Sequence, residues 1–270
     1  MTQTIELDYP VLPKIRYDEE NPHLLLSCLF SKGNKRYARL LGRFAKYSDN
    51  FKKISLHADP SSPHEPYWKN GWIPAIDAIS IYGFIAEQKP SVYFEIGSGN
   101  STKFARRAIR DGHLTTRIIS VDPCPRAEIN DLCDTVIREP VENIDKKIYA
   151  SLPANSVVYI DNSHRCFQNS DVTVCFLDIL PALPIGVTVG IHDIMLPYDY
   201  SESWFKRYYN EQYVLAAFLL GGGGGYKILL PCRYAYHTPE VYHKILPVFE
   251  TPELKGLGDP GGAFWMSRKK

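Results

Sequence analysis

Hydrophobic positions recur along the chain in two rhythms. Short runs rich in β-branched and aromatic residues stand at Val92 to Ile96, Arg117 to Val121, Asp134 to Ile137, Ser156 to Ile160 and Gly186 to Ile191, and each stops at a polar turn. Between them apolar residues fall at helical spacing. Trp72 to Glu87 carries Ile73, Ile76, Ile79, Phe84 and Ile85; the stretch from Ser101 carries Phe104, Ala105, Ala108 and Ile109; Asp171 to Leu180 continues the alternation. Strands separated by helix-length segments predict βαβ units and a parallel sheet.

The pattern changes toward both ends. Residues 1–70 are the least periodic, rich in proline, with one predicted helix from Lys35 to Tyr47, and read as an N-terminal extension on a domain spanning 71–270. Ser203 to Leu220 reads as one amphipathic helix stopped by the five glycines 221–225. No Lys-Ser or Lys-Thr follows those glycines, so they predict a connector and not a phosphate loop. Tyr226 to Leu230 and Ala263 to Ser267 then predict a closing antiparallel strand pair.

With 270 residues, 44% of them hydrophobic, the chain is long enough for one large α/β core. A formal net charge of +1 gives no field favouring nucleic acid, and no apolar run approaches a membrane span, so a cytoplasmic protein is expected. Six cysteines lie apart with no C-x-x-C pair, which predicts reduced thiols without a structural zinc site.

The chemistry is concentrated at strand ends. Gly97-Ser98-Gly99-Asn100 breaks the run Val92 to Ile96 and opens a helix, with Asn100 or Ser101 as N-cap, so a ligand can approach the backbone and meet free amides. Glu95, Asp122, Glu139, Asp161 and Asp193 all fall at or just beyond predicted strand ends, the side of an open parallel sheet where ligands bind. A dinucleotide fingerprint needs a third glycine where Thr102 stands, and Glu95 would repel a diphosphate. It would favour a cationic sulfonium. Asp122, 23 residues after Gly99, suits the acid that accepts ribose hydroxyls.

Glu95-Ile-Gly-Ser-Gly-Asn100 resembles motif I of class I S-adenosylmethionine-dependent methyltransferases, with Val121-Asp122 as the acid after the second strand. Tyr159-Ile-Asp-Asn-Ser-His164 and Ile191-His-Asp-Ile194, followed by Glu211-Gln-Tyr213, are similar to a bacterial subgroup of small-molecule methyltransferases. The resemblance implies a Rossmann-like α/β fold, with a mostly parallel seven-stranded sheet, an antiparallel last strand and helices on both faces. It implies S-adenosylmethionine bound by Gly97, Ser98, Gly99, Asn100 and Ser101, with Glu95 near its methionine end, Asp122 on the ribose, Glu139 near the adenine and Asp161 facing it.

Methyl transfer from a sulfonium is an in-line displacement that needs alignment and a nucleophile with a free lone pair. Asp161, His164 and His192 are the candidate catalytic residues, either histidine serving as a neutral general base. Asp161, His192 and Asp193 are candidate ligands of a divalent metal, their nitrogen content suiting Mn, Fe or Zn better than Mg. Aromatic clusters at Tyr67, Trp68 and Trp72, and at Tyr198, Tyr200, Trp204, Tyr208 and Tyr209, are candidate walls for a small-molecule acceptor methylated at oxygen. Two rival functions stand beside this one: an NAD-type oxidoreductase, and a non-catalytic cofactor-binding protein of the same fold. The sequence leaves room for a homo-oligomer.

Overall fold

The computed structural model describes residues 4–269. Seven strands form one sheet: β1 (Val92–Ile96), β2 (Arg117–Val121), β3 (Thr135–Ile137), β4 (Val157–Ile160), β5 (Thr188–Ile191), β6 (Tyr226–Pro231) and β7 (Phe264–Arg268). Their spatial order is β3-β2-β1-β4-β5-β7-β6, with β1 to β5 parallel and β7 antiparallel to both neighbours. The strand order turns between β1 and β4, so the crevice beyond the carboxyl ends of these two strands is the natural ligand site. β1, β4 and β5 are buried along their whole length, which explains why they read as unbroken apolar runs.

The helices used below are α1 (Leu24–Ser31), α2 (Asn34–Phe44), α3 (Ala75–Gln88), α4 (Asn100–Asp111) and α5 (Glu211–Leu220). α3 is buried along most of its length because it lies between the sheet and the residues that precede it. Phe44 packs edge-on to Phe84 at 5.2 Å, Phe84 lies 4.3 Å from Trp265, and Trp265 reaches Tyr159 at 5.5 Å. This aromatic column runs from α2 through α3 to the sheet. Trp265 Nε1 donates to Ser80 Oγ at 2.8 Å, so its one polar atom is satisfied inside the core.

The proline-rich start is pinned across the loop after β5. Asp199 Oδ2 accepts from the Arg16 and Tyr17 amides at 2.7 and 3.1 Å, and its own amide donates to the Tyr17 carbonyl at 2.9 Å. One helix was expected in residues 1–70; α1, α2 and a helical turn at Ser48–Phe51 are present. α1 was hidden because its run, Leu-Leu-Leu-Ser-Cys-Leu-Phe-Ser, is apolar nearly all round and gives no stripe.

The predicted helix from Ser203 to Leu220 is two elements. A 3-10 segment, Glu202–Arg207, stops at Tyr208, whose φ of 52° is left-handed, and α5 starts anew at Glu211. The break is held from outside. The Asn210 amide donates to the His164 carbonyl at 2.9 Å, while Asn210 Oδ1 accepts from the Cys166 amide at 2.6 Å. No helix is long and apolar enough to cross a membrane among the described residues. Trp265→Ala should lower stability by about 3–5 kcal/mol in urea unfolding, and a loss under about 1 kcal/mol would show that the aromatic column is not what couples α2 and α3 to the sheet.

Candidate functional site

A cleft of about 530 Å³ opens over the carboxyl ends of β1, β2, β4 and β5. Its floor is the turn between β1 and α4. Gly97 sits at φ 79°, left-handed, and a Cβ there would collide with the Asp161 carbonyl oxygen, so no other residue fits. Gly99 is different: its backbone is extended and no atom lies within 4 Å of where a Cβ would stand, so its lack of a side chain leaves the cleft open. Ser98, Asn100 and Ser101 line the same wall. Asp122 lies opposite, Oδ2 accepting from the Ser98 amide at 2.8 Å and Oδ1 from the Cys124 amide at 2.7 Å. Two amide bonds fix its direction and leave carboxylate lone pairs for a ligand.

Two predicted cofactor contacts are elsewhere. Glu95 is fully buried beneath the glycine turn and does not line the cleft. Side chains alternate along a strand, so Glu95 shares a sheet face with Tyr93, whose Oη donates to its Oε1 at 2.9 Å. Thr102 Oγ1 bonds the other oxygen while accepting from the Gly99 amide at 3.0 Å. Glu95 therefore braces the turn from below. Burial pushes its pKa up to about 7, against hydrogen bonds from Thr102, Ser101 and Tyr93 that favour the charge. Glu139 is exposed at the end of the three-residue edge strand β3 and also lies outside the cleft lining, to which Pro140, Val141 and Glu142 belong instead.

The predicted reaction residues do converge. Asp161 follows β4, His192 and Asp193 follow β5, and His164 returns from the loop after β4. His164 Nε2 is 3.2 Å from Asp161 Oδ1 and 3.3 Å from Asp193 Oδ2. His192 Nδ1 is 3.4 Å from Asp161 Oδ1 and 3.4 Å from Asp193 Oδ1. His164 and Asp193 both have left-handed backbones, at φ 60° and 55°, a conformation costly for side-chain-bearing residues and found where a site fixes its groups.

Behind each imidazole stands a carboxylate that sequence reasoning did not assign. Glu211, the first residue of α5, accepts at Oε2 from His164 Nδ1 at 2.8 Å and is fully buried. Asp77, on α3, lies 3.3 Å from His192 Nε2 and accepts from the Gly262 and Ala263 amides at 2.7 and 3.0 Å. The signal was present for Asp77: one acid inside the apolar helical run Pro74-Ala-Ile-Asp-Ala-Ile-Ser-Ile81 has to be buried and therefore partnered.

Four carboxylates around two imidazoles set the charge. Burial opposes a charge on His164, but the bonds from Asp161 and Glu211 outweigh it and raise its pKa to about 10. His192 is raised too, burial again being overcome by Asp161 and Asp193. Asp161 is held far below the usual carboxylate range because the two histidines outweigh its desolvation, whereas burial leaves Asp193 and Glu211 raised. The acids that position both rings also stabilise their cations, which works against the neutral imidazole base expected from the sequence.

Residues 94–194 match the family described as a methyltransferase domain. The matched span covers the glycine turn, Asp122, Asp161, His164, His192 and Asp193, and the seven-stranded sheet with its antiparallel strand is the class I arrangement. Over that span the chain is similar to a methyltransferase domain. Similar solved structures include a methyltransferase of Podospora anserina bound to SAH, with 14% identity, 86% of this chain and 88% of that one covered, and a TM-score of 0.45. An O-methyltransferase from Bacillus cereus in complex with SAH has 12% identity, 94% and 100% coverage and a TM-score of 0.39. Both likenesses are distant. No curated protein matches the chain.

The buried Glu95 gives a stability test. In the unfolded chain it ionises near its ordinary 4.5, whereas in the fold it holds its proton to about 7. Between these values the native state binds more protons, so stability falls as pH rises through the window and levels off above it. Glu95→Gln, which mimics the protonated form, should match the wild type in urea near pH 4.5 and exceed it at pH 8 by on the order of 3 kcal/mol. Parallel curves for the two proteins would show that Glu95 titrates in the fold as it does in the unfolded chain.

Proposed function

We propose that the protein transfers a methyl group from S-adenosylmethionine to an oxygen of a small-molecule acceptor in the cytoplasm. The observation that carries the reading is one continuous surface. The open wall at Gly99, the oriented carboxylate of Asp122 and the Asp161–His192–Asp193 cluster line a single cleft, within the range of about 300–1,000 Å³ usual for small-molecule sites. When bound, the cofactor supplies an electrophilic methyl on a sulfonium. Asp122 orients the ribose, the Ser98 to Ser101 backbone holds the methionine portion, and the buried acids favour the positive centre over the neutral product.

The same cluster fits a divalent cation. His192 Nδ1 stands 3.4 Å from an oxygen of each aspartate, close to the donor spacing of about 3.4 Å that follows from tetrahedral bonds near 2.1 Å. The three donor atoms lie within 4.8 Å of one another. Asp77 behind His192 supplies the outer carboxylate that metal-bound imidazoles commonly have. A cation in place of the imidazolium protons would balance the excess of acids, and when bound it would lower the pKa of an acceptor hydroxyl. The protein's own part is to fix donor directions and, with His164 held between Asp161, Asp193 and Glu211, to exclude loose protons from the reacting oxygen.

Isothermal titration should show SAH binding to the wild type and a loss of about tenfold to a hundredfold in Asp122→Ala, the cost of one or two hydrogen bonds to a charged group. Binding of NADH in preference to SAH would replace this reading with the oxidoreductase one. For the cation, Mn(II) titrated into the chain should give a bound electron paramagnetic resonance signal that weakens about tenfold or more in Asp193→Asn. A wild-type spectrum of free Mn(II) alone would remove that metal from the proposal.

A further inference from the structure

A second chamber of about 680 Å³ adjoins the cleft and shares Gly71, Trp72, Ile73, Asp193 and Trp204 with it. Asp193 lines both spaces, so the second is reachable from the cluster and its lining bears on the acceptor's chemistry. Trp72, Trp204, Tyr17 and Tyr198 give it flat apolar walls. The pinned start of the chain closes one side through Ile15 to Glu19.

The chamber's acids are mostly engaged. Asp18 Oδ1 accepts from the Glu20 and Asn21 amides at 3.1 and 2.8 Å. Asp199 holds the Arg16 and Tyr17 amides and takes the Tyr213 hydroxyl at 3.0 Å. Asp193 faces both histidines and Asp259 is exposed, whereas Glu19 lies 3.4 Å from a His237 Nε2 that has no hydrogen-bond partner, and its charge acts on Arg233 without a direct contact. Arg233 is the opposite case. It comes from the short helix Cys232–Tyr236 after β6, its Nε is sealed from solvent with no hydrogen-bond partner, and among the described residues no carboxylate lies within 4.0 Å of it. Its burial is large enough to lower its pKa from the ordinary value. A partly buried guanidinium without a partner is costly unless something supplies the acceptor atoms.

We infer that Arg233 binds a carboxylate on the methyl acceptor, making the substrate class a flat, aromatic monoacid whose hydroxyl lies at Asp193 and whose acid group lies at Arg233 in the second chamber. This rests on the methyl-transfer reading for the hydroxyl's role, but not for the anion site. The guanidinium fork matches a carboxylate in a two-bond geometry, and the tryptophan and tyrosine walls match a ring between the two ends. A dianionic phosphate suits the chamber less well than a monoanion, because Asp18, Glu19 and Asp259 line it and repulsion grows with the ligand's charge.

The test uses benzoate against its neutral isostere benzamide, each titrated into the full chain with and without SAH. Wild type should bind benzoate at least about tenfold more tightly than benzamide, the value of charge-assisted bonds to a guanidinium. Arg233→Met should abolish that preference with SAH affinity unchanged, and Arg233→Lys, which keeps the charge and loses the fork, should retain part of it. Equal binding of the two probes, no binding of either, or a preference that survives Arg233→Met would overturn the inference. So would a loss of SAH affinity in Arg233→Met with its melting temperature intact, since the arginine would then serve the cofactor. Should Arg233→Met fail to fold, the wild-type preference and its reduction in Arg233→Lys decide the matter. A wild type that binds no SAH would remove the methyl-transfer reading, and the benzoate preference measured without SAH would still decide the anion site.

Discussion

The site depends on one close approach between two strand ends. The Asp161 amide donates to the Ile96 carbonyl at 2.8 Å, which continues the β1–β4 ladder by one residue, and there the left-handed Gly97 lets the chain turn against the Asp161 carbonyl with no side chain between. The turn that opens the cleft and the first acid of the polar cluster are thereby set by the same contact. Any residue larger than glycine would force β1 and β4 apart at the point where the strand order reverses. The Gly97 amide, donating to the Val121 carbonyl at 2.9 Å, extends the same constraint to β2 and so to Asp122. The glycine wall, Asp122 and the acid–histidine cluster are in this sense one rigid object.

Rigidity has a second source in the charge balance of the cluster. Each imidazole has one nitrogen on the shared pair Asp161 and Asp193 and the other facing a private buried acid, Glu211 or Asp77. Those private acids come from two different helices, α5 and α3. Neither helix can shift without leaving a buried carboxylate unpaired, a penalty of several kcal/mol. The break that starts α5 at Glu211 follows from the same demand: a continuous helix from Ser203 would not have let the His164 carbonyl receive the Asn210 amide at its first turn.

Most of the sheet was legible because β1, β4 and β5 are buried on both faces and leave nothing but apolar residues to read. Strand ends were legible for the same reason, so Asp122, Asp161, His192 and Asp193 could be placed at the crevice from sequence alone. Residues inside an element were harder. Glu95 was expected near the methionine end of the cofactor, yet a residue within a strand projects from a sheet face, and this one meets Tyr93 and Thr102 beneath the turn. Glu139 follows an edge strand too short for its direction to be read. Glu211 belonged to a stretch that carried the resemblance but drew no role, because a helix read as continuous from Ser203 placed it mid-helix and gave no sign that it was buried. Its burial arises only from long-range packing against the loop after β4.

The two chambers divide the recognition problem along chemical lines. The first has amides and an oriented carboxylate at its glycine wall, features that bind a nucleoside by hydrogen bonds. The second has aromatic walls, committed acids and one uncommitted guanidinium. They meet at Asp193, which is held by both histidines and strained in its backbone, so the one residue common to cluster and acceptor space is also among the most constrained. In-line transfer rewards this arrangement, because a misalignment of about an ångström between donor and acceptor costs orders of magnitude in rate. On the acceptor reading proposed above, affinity would reside in the flat walls and guanidinium of the second chamber, apart from the geometry where the methyl group moves.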